Sequence, residues 1–284
     1  MKICRYNDDR LGVVDGDDIV DVTQALDVLP SVRWPVPPGD LAIAHLGDLR
    51  GEIERLAASG ERLARSGAVL KSPVANPDKI IGAPVNYLKH QDEAQKDAGI
   101  NFGTDVKTIN EYGLFLKANS SLVGPGEGVA AKFPDRRIDY EVELAVVVGR
   151  GGRDIGEGDA LSHVAGYAIG IDMSVRGTED RSYRKSLDSF SVLGPWLVTA
   201  DEIADPGGLD LELSVNGEMK QSSNTSFLIF DVPQLIAYAS RAFTLHPGDI
   251  IMTGTPEGVG PVAPGDVMTA WVESVGKMDV EVRA

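Results

Sequence analysis

The chain has 284 residues and a formal net charge of -16, with a sequence pI near 4.6. Such an acidic surface repels phosphate backbones and anionic membranes, so the composition argues against binding to nucleic acid or to a membrane. The one cysteine, Cys4, excludes an internal disulfide, and no apolar run approaches membrane-spanning length. The chain also starts with polar residues where a signal segment would need apolar ones, so these features favour a cytoplasmic protein.

Residues 1–73 are predicted to form a small α+β domain. Short strand patterns in "KICRY", "LGVV" and "DIVDV" are joined by Asp/Gly turns. Apolar positions at helical spacing then predict a helix from Asp48 to Ala64, although Gly60 weakens the pattern. Proline and polar residues concentrate in Lys71–Lys79, as in a linker between domains, so a boundary is predicted near residue 74.

Residues 74–284 predict a mainly β body with some α structure. Short apolar runs alternate with Gly/Pro turns throughout this part of the chain. The pair Asn216-Gly217 between two extended runs predicts a tight hairpin. One clear helix is predicted over Val232–Phe243, with Asp231 as its N-cap. The predicted fold class is therefore α+β.

Two glutamates interrupt the apolar strand pattern "YEVELAVVVG". Glu141 and Glu143 lie two residues apart, so in a strand both carboxylates point to the same face. Another apolar strand pattern ends at Asp172, and an antiparallel or adjacent strand brings that carboxylate to the pair. Three carboxylates suit a hard divalent cation such as Mg²⁺ or Mn²⁺. In the alternative, each glutamate pairs with a lysine or arginine at the edge of a sheet.

A second candidate is the pair His90 and Glu93, which are neighbours on a helical turn. A carboxylate that orients an imidazole can make it a general base toward water. An exposed His-Glu pair without function is the alternative.

The stretch from Met252 to Val262, "MTGTPEGVGPV", invites comparison with a phosphate loop, but no lysine and no helix follow it. Its hydroxyls and backbone N–H groups are suited to holding a carboxylate, or they form a plain turn. Lys117 interrupts an apolar strand pattern, and Arg176 and Lys185 follow the strand pattern that ends at Asp172. These cations would neutralise the acids, bind an anionic substrate or stabilise an enolate; the alternative is solvated loop charge.

Five motifs, in order between about residues 79 and 283, together resemble the fumarylacetoacetate hydrolase family. They are "KIIGAPVNYLKH" with the glutamate three residues later, "DYEVELAVVVG", "GYAIGIDMSVR", "RKSLDSFSVLGPWLVT" and "GDIIMTGTPEGVG". The N-terminal 70 or so residues are similar to the small, variable domain that many members carry.

This resemblance implies a mixed β-roll or sandwich, usually in a homodimer, that acts on small anionic oxo acids. It implies one Mg²⁺ or Mn²⁺ per chain, held by Glu141, Glu143 and Asp172. Lys185 would lie beside the metal, and His90 with Glu93 would activate water. The predicted substrate-binding residues are Tyr87, Lys117, Arg176, Glu179 and Thr255.

Three features depart from the family pattern. Pro84 stands where the family often has Gly, Ala118 where it has Pro, and residues 176–179 read Arg-Gly-Thr-Glu in place of Arg-Asp-x-Gln. Glu179 would repel a substrate carboxylate unless it is turned away or takes part in proton transfer. The segment Gln95–Tyr112 is long enough to form a lid.

The predicted activity is hydrolytic cleavage of a carbon-carbon bond in a β-diketone acid such as an acylpyruvate or fumarylpyruvate, as in aromatic catabolism. Decarboxylation of a 2-oxo diacid and isomerisation of a 2-hydroxy-dienedioate would use the same site without the attacking water. A non-catalytic metal-binding module is a further alternative.

Overall fold

A computed structural model describes residues 1–133 and 135–284. The strands are β1 Lys2–Tyr6, β2 Arg10–Asp15, β3 Asp18–Asp21, β4 Arg62–Ala64, β5 Leu70–Lys71, β6 Ile80–Gly82, β7 Phe115–Lys117, β8 Leu122–Val123, β9 Val129–Ala130, β10 Ile138–Tyr140, β11 Val142–Val148, β12 Val164–Asp172, β13 Ser174–Val175, β14 Ser191–Thr199, β15 Asp210–Val215, β16 Glu218–Asn224, β17 Ile250–Met252, β18 Gly260–Pro261, β19 Val267–Val272 and β20 Gly276–Arg283. The α-helices are α1 Leu41–Ala44, α2 Leu46–Ala57, α3 Leu88–Lys96, α4 Ala98–Asn101, α5 Ile109–Tyr112, α6 Arg181–Lys185 and α7 Val232–Ala242.

In the described residues, twelve strands form one large mixed sheet. The order along it is β4-β3-β2-β1-β14-β12-β11-β17-β6-β7, with β5 on β1 and β8 on β14. Every residue of β11 and β14 is buried, because β-branched and other apolar side chains suit a strand that is covered on both faces. The predicted α+β class with a mainly β body is confirmed.

Two smaller sheets complete the body. One contains β13, β10 and β18, and the other contains β16, β15, β19, β20 and β9. Burial alternates along β15 and β20, so each has one face on the core and one toward solvent. Asn216 and Gly217 both have positive φ, at 50° and 81°, and form the tight turn between β15 and β16 that the sequence predicts.

The N-terminal strands continue the large sheet across the predicted domain boundary. Strand β1 pairs antiparallel with β14, with Ile3 opposite Leu197. The boundary near residue 74 stays a prediction.

The helix prediction for Asp48–Ala64 is wrong in its second half. Helix α2 ends at Ala57. The backbone at Gly60 then approaches strand β3 so closely that an added Cβ would lie 2.6 Å from the Asp21 carbonyl oxygen. Strand β4 then pairs with β3. Long-range pairing therefore overrides the local helical pattern.

The late helix is confirmed as α7. Asp231 accepts from the Gln234 backbone N–H at 2.9 Å, and the Gln234 side chain accepts from the Asp231 N–H at 3.1 Å. This reciprocal cap fixes the start of the helix. None of the helices in the described part of the chain is long and apolar enough to cross a membrane.

Candidate active site

The register of two strands brings three carboxylates together. Strands β11 and β12 are antiparallel with Val142 opposite Ile171, and the Asp172 N–H donates to the Glu141 carbonyl at 2.9 Å. Glu143 lies two residues after Glu141, so its side chain leaves the chain on the same face. One carboxylate oxygen from each of Glu141, Glu143 and Asp172 lies within 4.8 Å of the others, and all three side chains are buried.

Cationic side chains partner two of these three carboxylates. Lys185 Nζ donates to Glu141 at 2.7 Å and to Asp172 at 2.8 Å. Arg176 Nη2 donates to Glu141 at 3.1 Å, and Lys117 Nζ donates to Asp172. Burial alone would raise the pKa of Glu141, but Lys185 and Arg176 lower this pKa to about 2.

Glu143 is different, because no lysine or arginine among residues 1–133 and 135–284 forms an ion pair with it. Its Oε2 accepts from the Gly254 backbone N–H at 2.6 Å. Burial, and then the charges of Asp172 and Glu141, raise the pKa of Glu143 well above its usual range. A buried, crowded carboxylate without a cation is the feature that a bound divalent ion would stabilise. The three oxygen donors therefore fit Mg²⁺ or Mn²⁺.

The His-Glu pair lies on helix α3, and His90 lines the same cavity as the acidic residues. His90 is buried, and its Nδ1 lies 3.2 Å from Glu93 Oε2. Glu93 Oε1 accepts from the Gly258 N–H at 2.9 Å. Because Glu93 engages Nδ1, Nε2 is the ring nitrogen available to a water in the cavity.

The loop after β17 holds Glu143 and Glu93 through hydrogen bonds from its backbone N–H groups. Gly254 donates to Glu143 and Gly258 to Glu93, and both glycines have positive φ, at 100° and 97°. A Cβ at Gly258 would lie 2.0 Å from the Lys220 carbonyl oxygen, so glycine is required there. The turn thus binds carboxylates through its backbone N–H groups, and these carboxylates belong to the protein's own side chains.

The cavity has a volume of about 280 Å³. The segment predicted as a lid forms one wall, with helices α4 and α5 and the side chains of Phe102, Val106 and Tyr112. The acidic residues, His90 and a group of cations also line the cavity.

The predicted substrate-binding residues lie in different surroundings. Arg176, Glu179 and Thr255 line the cavity. The Thr255 hydroxyl donates to the Val142 carbonyl at 2.9 Å and accepts from Gln221 Nε2 at 2.8 Å. Lys117 is buried between Asp172 and the Phe190 carbonyl, to which its Nζ donates at 2.7 Å.

Tyr87 precedes helix α3, is 1% exposed and is not among the residues that line the cavity. Its hydroxyl has no hydrogen-bond partner in the described residues, and burial together with the charges of Glu143 and Glu257 raises its pKa. A role for Tyr87 in substrate binding stays a prediction.

Sequence reasoning overlooked four residues of this region: Arg136, Arg181, Arg184 and Gln221. Arg136 donates to both carboxylate oxygens of Glu179, at 2.9 and 2.8 Å. Glu179 itself could have indicated this arginine, since a glutamate in place of a neutral amide beside an anionic site is stabilised by a nearby cation. Arg181 and Arg184 line the cavity from α6.

A cavity lined by three buried carboxylates and by the histidine of a His-Glu pair, on an α+β body, defines the molecule as an enzyme of the class that acts on small anionic substrates. The chain belongs to the fumarylacetoacetate hydrolase family, whose sequence profile, described as "Fumarylacetoacetate (FAA) hydrolase C-terminal", matches residues 79–283. The resemblance stated from the five motifs is confirmed.

The relatives that the chain matches include proteins named as hydrolases and proteins named as tautomerases. Maleylpyruvate hydrolase of Aquipseudomonas alcaligenes is 55% identical over 100% of both chains. The crystal structure of maleylpyruvate hydrolase from Sphingobium sp. SYK-6 in complex with manganese(II) ion and pyruvate is 40% identical, with a TM-score of 0.84 over 100% of this chain and 99% of that one. A mitochondrial oxaloacetate tautomerase of Homo sapiens is 39% identical over 78% of this chain and 71% of its own length.

Proposed function

We propose that this protein is a metal-dependent hydrolase that cleaves a carbon-carbon bond in an acylpyruvate whose far end is also acidic, as in maleylpyruvate or fumarylpyruvate. The observation that carries the proposal is one cavity lined both by the three converging carboxylates and by His90, whose Nδ1 lies 3.2 Å from Glu93 Oε2. The similarity to maleylpyruvate hydrolase over the full chain supports the same activity.

Glu141, Glu143 and Asp172 would hold the cation, Mg²⁺ or Mn²⁺, one per chain. When bound, the cation would polarise the 2-oxo acid end of the substrate and stabilise negative charge there. Glu143 is central to this role, because its carboxylate lacks a cationic partner within the described residues.

His90 would take a proton from water at Nε2 while Glu93 stabilises the imidazolium through Nδ1. The water oxygen bonds to the distal carbonyl carbon, and the bond from that carbon toward the pyruvate end breaks. The electron pair stays on the pyruvate fragment, which takes up a proton, and the other fragment leaves as a carboxylic acid. The Lys185 ammonium, held between Glu141 and Asp172, stabilises the negative charge that develops on the pyruvate fragment.

Tautomerisation of a 2-oxo diacid is a second candidate, because a relative of 39% identity carries that activity in its name. It would use the proton transfer by His90 without the attack of water. Decarboxylation of a 2-oxo diacid would need neither step. The dyad beside the acidic site favours hydrolysis over decarboxylation.

The test uses chelator-stripped protein with an acylpyruvate, with and without added Mn²⁺ or Mg²⁺, and follows loss of the enol absorbance and formation of pyruvate. Restoration of cleavage by metal supports the hydrolase. Loss of enol absorbance without pyruvate would indicate tautomerisation, and consumption of only a 2-oxo diacid with release of CO₂ would indicate a decarboxylase.

A cytoplasmic homodimer completes the proposal. The single, buried Cys4 is consistent with a reducing compartment. The family resemblance is the basis for the dimer. Size-exclusion chromatography with light scattering measures the mass of the protein in solution and tests it directly. A monomeric mass would contradict it.

A further inference from the structure

We infer that Arg181 and Arg184 form the binding site for the second, distal carboxylate of a dianionic substrate, and so select diacids over acids with an uncharged far end. The inference rests on the proposed function for the identity of the reacting end, and it adds the residues that recognise the other end.

Helix α6 brings the two arginines to the acidic site. Arg184 and Lys185 lie three and four residues after Arg181, so all three residues share one side of a helical turn. Lys185 bonds to Glu141 and Asp172, and both arginines line the same cavity. Both arginines therefore line the cavity that also contains the residues that would hold the reacting end.

The two guanidinium groups lack the carboxylate partners that other cations of the site have. Arg136 pairs with Glu179, and Arg176 pairs with Asp139 at 2.7 Å. By contrast, no carboxylate in residues 1–133 and 135–284 lies within ion-pairing distance of Arg181 or Arg184. Burial lowers the pKa of both groups, and the charges of Arg176 and Arg181 lower the pKa of Arg184 further, because the more distant acids only partly offset these effects.

Both side chains are nevertheless held in place. The Arg181 guanidinium lies over the Tyr112 ring at 4.5 Å from its centroid, and over the Phe115 ring at 5.8 Å. Arg184 Nε donates to the Glu179 carbonyl at 2.9 Å. Stacked and tethered guanidinium groups with unused N–H donors are organised to receive a carboxylate.

The occupant follows from this arrangement of charge. A short acid bound by its 2-oxo acid end near Glu141, Glu143 and Asp172 extends along α6, where only an anionic far end gains from two cations. An uncharged end there would leave both guanidinium groups desolvated and unpaired.

The test compares two ligands that lack the second carbonyl needed for hydrolytic cleavage and that differ only at the far end. 2-Oxoadipate and 2-oxohexanoate have the same number of carbons and the same 2-oxo acid end, but 2-oxohexanoate ends in a methyl group. Calorimetric titration into the full protein, with and without Mn²⁺, measures the ratio of their affinities. The variants are Arg181→Gln, Arg184→Gln and Arg181→Lys, with Arg153→Gln, an exposed arginine outside the cavity, as the matched control.

Wild-type protein and the control should prefer 2-oxoadipate. Each glutamine variant should lose about 10- to 100-fold in affinity for 2-oxoadipate and less than about threefold for 2-oxohexanoate. The lysine variant should keep part of the preference. A thermal melt checks that each variant is folded, and the two glutamine variants give independent readings if one is not.

Equal weakening of both ligands would overturn the inference, since it would indicate a general role in packing or at the reacting end. No change in either ligand, or no preference in the wild type, would also overturn it. Because this readout is binding, it is separate from turnover. If acylpyruvates are not cleaved while the arginines still select the diacid, the proposed function fails and the inference stands.

Discussion

Arg136 donates hydrogen bonds to both carboxylate oxygens of Glu179, and this ion pair lies in space that Gly177 leaves open because it has no side chain. A Cβ on residue 177 would be 2.1 Å from Arg136 Nη2 and 2.2 Å from Glu179 Oε2. The two departures from the family pattern at positions 177 and 179 therefore belong to one arrangement. Arg136 neutralises the glutamate that would otherwise repel an anionic substrate at the cavity wall.

Arg136→Gln should raise the KM for an anionic acylpyruvate about 3- to 10-fold, because the unpaired Glu179 charge then faces the cavity. The double variant Arg136→Gln/Glu179→Gln should recover most of the loss. Steady-state kinetics at low and high salt measure the effect, which should shrink as salt screens the charge. Lys132→Gln, which removes an exposed ion pair with Asp188 outside the cavity, is the control. An unchanged KM in the single variant would contradict the argument.

Gly177→Ala should produce a similar rise in KM without loss of fold. The added methyl group meets the ends of two flexible side chains rather than backbone, so the ion pair moves and the chain does not. We expect the free energy of unfolding to change by less than about 1 kcal/mol, as for a partly exposed pair. Urea unfolding and kinetics on the same preparation test this, and a large loss of stability with unchanged KM would show that the glycine serves the backbone instead.

Glu143→Gln should abolish high-affinity metal binding, because it removes the carboxylate that has no cationic partner in the described part of the chain. We expect a loss of more than about 100-fold in Mn²⁺ affinity, beyond that usual for residues around a metal's ligands. Glu141→Gln should have the same direction of effect and should abolish metal-dependent activity. Calorimetric titration with Mn²⁺ measures the affinity, and Glu218→Gln, on an exposed side chain, is the control. Full activity in the Glu141 variant would refute the assignment of the metal site.

His90→Ala should lose turnover of an acylpyruvate by about 10²- to 10⁴-fold with unchanged metal binding, since a general base contributes on that scale. Glu93→Gln should lose less, because it keeps a hydrogen-bonding group near Nδ1 and removes only the charge that stabilises the imidazolium. Single-turnover kinetics beside the Mn²⁺ titration separate the two effects. Loss of metal binding in the His90 variant would point to a structural role.

The cluster of Glu141, Glu143 and Asp172 could be predicted from the sequence because the pattern that indicates it is local. Two carboxylates at i and i+2 on an apolar strand must share a face, and a strand that ends in an acid offers a third. The structure adds the register, Val142 opposite Ile171, which no local pattern specifies. The open choice between ion pairs and a metal also needed the structure, since Glu141 and Asp172 have cationic partners whereas Glu143 has none among the residues that the structure describes.

The overlooked residues depend on long-range contacts. Gln221 lies on β16, yet its side chain accepts from the Val142 N–H and donates to Thr255, and these residues are far apart in sequence. Residues 62–64 fit a helical pattern locally but pair with β3 as β4. In both cases the controlling partner is distant along the chain, so periodicity within a short window carries no information about it.

Asp139→Asn should destabilise the protein strongly. Asp139 is fully buried and accepts from Arg137 Nε and Arg176 Nε, both at 2.7 Å. Loss of its charge leaves these two cations without their common partner, and we expect a cost of about 3 kcal/mol in the free energy of unfolding. Urea unfolding measures it, with Asp188→Asn as an exposed control that should cost less than about 0.5 kcal/mol. Equal effects of the two substitutions would mean that the buried pairs contribute no more than surface ones.

Stability should fall as the pH rises above about 9. Burial raises the pKa of Cys4 from 9.0 to about 12, and raises the pKa of Tyr167 from 10.0 to about 12. Because both pKa values are higher in the folded protein, these groups ionise first in the unfolded chain as the pH rises. Their contribution to the free energy of unfolding is therefore complete below pH 9 and is lost as the pH approaches 12.

Urea unfolding from pH 7 to 11 measures this dependence, with a slope of up to about 1.4 kcal/mol per pH unit from each ionising group. Cys4→Ala should flatten the decline between pH 9 and 10, where the unfolded thiol ionises before the unfolded tyrosine. In the native protein the buried Cys4 thiol should react with a thiol reagent only as fast as the chain opens. Stability that is constant to pH 11, or rapid labelling of the native thiol, would contradict the inferred burial of these groups.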